Sequence, residues 1–236
     1  MILANARARL RGPDIRLVVL ALCRRTPGAR GRTEERLTRE GPDALLDEPG
    51  LLEALCDVRS LAMPSAPLFA YVAVRHALLG AGIDDRSLAD YLAALLLEFG
   101  THDRAHRLRA ADDQTYNYLL EIVSDLEEQA PGGGVRAFEL QAHLGNYSLW
   151  LAGLFPDFIA AVQRRRAGPD VTYYDAWGRR GYGLAAGHRL AAQFGVDGIY
   201  RQAADRFPAL RQALNHLSDR MFFPAVQTDD RLLRNL

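Results

Sequence analysis

Laid on a helix of 3.6 residues per turn, His143, Asn146, Tyr147 and Trp150 fall at i, i+3, i+4 and i+7, a single stripe of polar and aromatic tips. Leu140, Leu144, Leu151 and Phe155 lie off that stripe. The run 135–162, the longest nearly charge-free stretch of the chain, is therefore apolar or polarisable almost all round. A helix of that kind belongs in the middle of a domain. Residues 171–194 have the same character, with Tyr174, Trp177, Leu184 and His188 able to share a face. The pattern predicts an all-α fold, a single multi-helix globular domain built around a buried helix pair at about 135–155 and 171–194.

Further helices are expected at 50–59, 68–79, 86–99, 114–129, 157–166, 199–206 and 208–222. Their punctuation agrees: Asp85, Asp113 and Asp170 are placed to cap N-termini, Gly100 and Gly195 to end helices, and Pro67, Pro156 and Pro208 to open them. Within 114–129, Leu119, Ile122, Val123 and Leu126 form the buried stripe, with Glu121, Asp125 and Glu128 on a solvated face opposite. Gly132, Gly133 and Gly134 read as a flexible turn. No stretch alternates with period two and no repeat is visible, so strands and solenoids are not expected. Residues 1–41 stand apart, with ten arginines and no aromatic residue. They read as a loose, Arg-rich N-terminal segment, partly flexible, in which a short docked helix around the apolar run 17–23 leads into a linker at 26–33. The compact domain is expected over 42–236.

Composition changes this picture in three places. Every one of the 29 basic residues is arginine, which rules out a catalytic or Schiff-base lysine and a phosphate loop of the Gly-Lys type. Twenty-nine acidic residues balance them to zero net charge, which counts against a nucleic-acid partner, since phosphate contacts call for a basic excess. Two cysteines, Cys23 and Cys56, are too few for a disulfide framework and read as reduced thiols of a soluble, cytoplasmic protein. No apolar run is long enough to span a membrane.

Candidate chemistry is sparse. If a helix ran unbroken through Gly100, Glu98, His102 and His106 would line up at i, i+4 and i+8, with Asp103 beside them, a spacing that suits a metal. If Gly100 ends the helix, that line dissolves. His76 together with the adjacent His102-Asp103 resembles the His…His-Asp pattern of the metal-dependent HD phosphohydrolases, although the apolar run before the dyad is missing. That resemblance implies His76, His102 and Asp103 as metal-site candidates, to which the helical spacing adds His106. Asp112-Asp113 resembles half of a prenyl-diphosphate magnesium motif, without a second half. Gly181-Tyr182-Gly183-Leu184-Ala185-Ala186 matches a dinucleotide G-x-G-x-x-A, but no strand precedes it, and Gly183 and Gly187 are more simply read as letting a neighbouring helix approach. No nucleophile signature is present, and no catalytic residue is assigned.

What remains is the polar content of the two central helices: His143, Asn146, Tyr147 and Trp150 on one, Tyr174, Trp177, Arg180 and His188 on the other. So many polar tips either satisfy one another as a buried network or line a pocket, since each unpaired buried group costs roughly 1–3 kcal/mol. The first expectation is a network in a helical binding or regulatory protein with a protein partner. The alternative is an enzyme or binder of a small anionic ligand, held at those eight residues. The metal-dependent phosphohydrolase is the third. No cofactor is implied.

Overall fold

A computed structural model describes residues 1–25, 28, 30–58, 63–101, 103–129 and 133–222. Among these the chain is all-α, with thirteen α-helices and no strand. No described helix is long and apolar enough to cross a membrane. Of the expected features, Thr26, Pro27 and Ala29 of the linker, Arg59 of the helix 50–59, His102, and Gly132 of the glycine turn lie outside the described residues. The chain divides into two compact units, Ala4–Leu97 and Glu98–Leu236 with Met1–Leu3.

The first unit holds α1 (Gly12–Arg25), α2 (Arg30–Glu40), α3 (Pro42–Leu46), α4 (Leu51–Val58), α5 (Ala66–Gly80) and most of α6 (Arg86–Phe99). Leu17, Val18 and Ala21 form the buried edge of α1, which packs on α4. Helix α2 takes up residues 30–33, the last four of the expected linker. Ser65 caps α5 through the Leu68 amide at 3.2 Å, and Asp85 caps α6 through the Leu88 amide at 2.9 Å. A guanidinium sits in this unit's interior: Arg75, 1% exposed, donates to Asp47 at 2.7 and 2.9 Å and also to Asp84. Asp47 in turn accepts from Arg86 at 2.5 Å. Burial pushes the Asp47 carboxyl up, but the two arginines outweigh it and hold the group below the ordinary carboxylate range.

The second unit is organised around α8 (Val135–Leu154), fourteen of whose twenty residues are buried. Around it lie α7 (Leu119–Glu127), α9 (Pro156–Arg166), α10 (Val171–Gly187), α11 (Arg189–Gln193), α12 (Asp197–Asp205) and α13 (Phe207–Phe222). Helix α10 runs antiparallel to α8: His188, just past its end, reaches Gly133, just before α8, while Gly181 lies over Gln141 and Gly145. The crossing is backbone on backbone. A Cβ at Gly181 would lie 2.7 Å from the Gly145 nitrogen and 2.8 Å from the Gln141 carbonyl oxygen. Gly183 and Gly187, expected to serve this purpose, face open space instead, because the helix phase turns Gly181 and Gly178 toward the partners. Helix α13 closes the other end of α8. Asn215 donates to the Ala152 and Gly153 carbonyls at 2.8 and 2.7 Å, and Ser218 to the Leu154 carbonyl at 2.8 Å, satisfying groups a helix end leaves orphaned.

Two expected helices are shorter than the periodicity implies. The helix at 114–129 begins only at Leu119. Tyr116 spends its backbone on His106, its amide donating to the His106 carbonyl at 2.7 Å and its carbonyl accepting from His106 Nδ1 at 2.9 Å. Asp113 is therefore not the cap; Glu121 reaches back instead to the Asn117 and Tyr118 amides at 2.6 and 3.1 Å. The helix at 171–194 breaks at His188, whose backbone is extended (φ −78°, ψ 137°) and whose Nδ1 accepts from the Leu190 amide to start α11.

Candidate functional site

The stripe on α8 is interior. His143, Asn146 and Tyr147 are buried and Trp150 is half-buried. Asn146 Oδ1 accepts from the Tyr182 hydroxyl at 2.8 Å, and the Tyr147 hydroxyl donates to the Asn117 carbonyl at 3.2 Å. Burial pushes the Tyr147 phenol up to about 12. Trp150 packs edge-on against Phe99, His106 and Phe155. His143 lies among Phe99, Tyr116 and Tyr147, and its buried Nε2 finds no hydrogen-bond partner. Burial first, then the positive charge of Arg104, pushes its imidazole down to about 3, so it stays neutral.

Of the α10 residues, Tyr174 and Trp177 pack against the core that contains Tyr147 of this stripe. Tyr174 packs beside Tyr173 on the core flanking α8, with ring centroids 5.5 Å apart. His188, beyond the helix, bonds Gly133 at 2.7 Å and stacks on Phe138 at 5.2 Å. Trp177 is partly buried and Arg180 exposed, with the Arg180 guanidinium 4.9 Å from the indole centroid. Tyr147, Trp150, Tyr174 and Trp177 thus meet on one core, while Arg180 is exposed beside Trp177 and His188 stands against Gly133 and Phe138.

Of the metal candidates, His76 belongs to the first unit, with Nε2 bonded to the Leu46 carbonyl at 2.9 Å. In the second unit, α6 ends at Phe99, so Glu98 and His106 do not share a helix. Glu98 pairs with Arg104 at 3.5 Å, and Asp103 stands at the start of the 3-10 turn Arg104–His106 with a left-handed backbone (φ 55°). No three His, Cys, Asp or Glu side chains among the described residues gather to hold a metal. The G-x-G-x-x-A segment lies wholly inside α10, where its amides are committed to the helix and form no phosphate loop.

Helices α7 and α10 both pack on α8 and leave a groove of 240 Å³ between them. Ala137 and Gln141 of α8 form its floor, Leu126 and Glu127 of α7 one wall, and Trp177 and Arg180 of α10 the other. Gln141 brings a feature that the hydrophobic pattern does not single out: its Oε1 is buried and accepts no hydrogen bond. Such an atom costs roughly 1–3 kcal/mol unless something meets it. The signal available was slight, an uncharged amide in the charge-free run but off the aromatic stripe. Glu127 was equally unremarked, while Asp125, expected on the solvated face, is tied to Tyr116 and to Arg136 at 2.6 Å. A shallow dish of 320 Å³ on the other side of Arg180, against Ala204 and Asp205 of α12, contains no such unpartnered group. Comparison of the chain with protein-family models, with curated proteins and with solved structures finds no match in any of the three.

Proposed function

We propose that the chain is a ligand-binding protein whose site is the groove between α7, α8 and α10, and that its ligand is a small organic molecule with an anionic group. The observation that carries this reading is the buried, unpartnered Gln141 Oε1 at the groove floor. A turn of the Gln141 side chain into the groove would bring that oxygen to a ligand N–H or O–H and recover the hydrogen bond that the fold leaves unmade. Arg180 supports the anionic character, since it lines the same groove and makes no ion pair among the described residues. Leu126, Ala137 and Leu184 offer apolar surface, and 240 Å³ is below the roughly 300–1,000 Å³ of sites that take drug-sized ligands, so the ligand is of small-metabolite size. The α8 aromatic cluster acts in this reading as the rigid support under the groove.

The chain has two tryptophans, so its amide spectrum carries two indole N–H signals, and Trp177→Phe identifies which belongs to the groove. A set of small carboxylates and phosphates added to the full chain should shift the Trp177 signal saturably, and Arg180→Leu should abolish the shift. Movement of the Trp150 signal alone, or of neither, rules the groove out as the binding site.

A further inference from the structure

We infer that the ligand of this groove is a zwitterion of the amino-acid type, carrying an ammonium group, a carboxylate and an apolar side chain; the inference rests on the groove being the binding site. The polar groups lining it differ in kind from wall to wall. Arg180 on α10 is a cation without a carboxylate partner among the described residues. Helix α7 presents the opposite sign. Glu127, its last residue, makes no ion pair among the described residues, and it stands where the C-terminal carbonyls of the helix add negative potential. Two further acceptors complete that side. Gln141 Oε1 is buried and unmet, and Gln129, which lines the groove, uses its amide Nε2 on Asp125 (3.2 Å to the carbonyl), leaving its oxygen to accept.

One cation and three acceptors define the complement. An ammonium group has three donors and a positive charge, the complement of the Glu127 carboxylate, the Gln129 oxygen and, once turned into the groove, the Gln141 oxygen; a carboxylate answers Arg180. A simple anion meets Arg180 but leaves Gln141 unmet and faces Glu127, so it binds more weakly. A simple cation is repelled by Arg180. The apolar side chain lies against Leu126 and Leu184, where 240 Å³ admits one such residue or a short peptide end.

Titration calorimetry on the full chain separates the possibilities, with L-leucine, L-phenylalanine, the dipeptide Leu-Leu, N-acetyl-L-leucine and L-leucinamide as probes. The amine- and carboxylate-bearing probes should bind at least about tenfold more tightly than the acetyl and amide forms, each of which loses one charge-assisted contact. Leucine against Leu-Leu tells a free amino acid from a peptide end. Glu127→Gln should erase the preference over N-acetyl-leucine, and Arg180→Leu the preference over leucinamide. N-acetyl-leucine binding as tightly as leucine, with Glu127→Gln silent, overturns the zwitterion and leaves an anion-binding groove. Absence of heat with all five probes, together with an unmoved Trp177 signal in the presence of small anions, overturns both.

Discussion

His143 and Arg75 show how differently two interior polar residues are handled. Arg75 places Nε and Nη2 on Asp47 and Nη2 also on Asp84, leaving only Nη1 unmet, so its charge is retained inside the first unit. Removing it would leave Asp47 half-buried with only Arg86. Arg75→Met should therefore cost on the order of 3 kcal/mol by chemical denaturation, as when one member of a buried pair is deleted. His143 has no such partner at Nε2, so its polarity adds nothing to the folded state. His143→Ala opens a cavity and should cost about 2–4 kcal/mol, whereas His143→Leu, of similar volume, should be neutral or stabilising at pH 7. Its titration gives a second signature. The unfolded imidazole protonates near ~6.5, the folded one only at about 3, so between those values the unfolded chain holds the extra proton. Stability is then full above pH ~6.5 and falls as the pH drops, by up to about 1.4 kcal/mol per unit. Denaturation curves from pH 4 to 8 should show that slope in the wild type and lose it in His143→Leu.

Among the elements, the α8–α10 pair carries the sharpest constraint. Gly181→Ala places a Cβ against backbone on α8, which no side-chain rotation can relieve, and should cost about 1–3 kcal/mol through separation of the two helices. Two residues along the same helix, Gly183 meets open space, and Gly183→Ala should stabilise by up to about 1 kcal/mol through helix propensity alone. Thermal denaturation of the two variants should move in opposite directions; equal shifts would contradict the backbone crossing. His188 shows why 171–194 is not one helix. Its side chain joins the Gly133 carbonyl to the Leu190 amide, two bonds a helical His188 would forgo. Nothing in the local spacing announces this, because Gly133 is 55 residues away. Glu121 displaced Asp113 as the α7 cap for the same kind of reason: the link from Tyr116 back to His106 holds the intervening chain out of the helix.

For the molecule as a whole, the far-ultraviolet circular dichroism spectrum should be strongly helical; a spectrum dominated by strand would remove the basis of the fold. Acid unfolding should come in two stages. The first begins below pH ~6.5 with His143. The second follows from Asp47 and Asp125, each held below the ordinary carboxylate value, with burial outweighed by arginine contacts and, for Asp125, the Tyr116 hydroxyl as well. Their contribution is complete above the unfolded carboxylate pKa and is lost as the pH falls through the lower folded values. In His143→Leu only the second stage should remain.

Periodicity, capping residues and prolines are local, and they determined from sequence the all-α class, the place of α8 at the centre, and the ends of most helices. Asp85, Asp170, Pro156 and Gly195 act within a turn of their own positions, so their roles were legible. The candidate site was legible only in part. Trp177 and Arg180 were marked by type, but what each of them meets depends on the angle at which α10 crosses α8. That angle is set by Gly145 and Gly181, 36 positions apart. The groove exists because α7 and α10 both pack on α8 and leave Gln141 between them. A pattern of 3.6 residues states which face of a helix is buried; which neighbour covers it, and which polar atom is left without one, is decided by contacts distant in sequence.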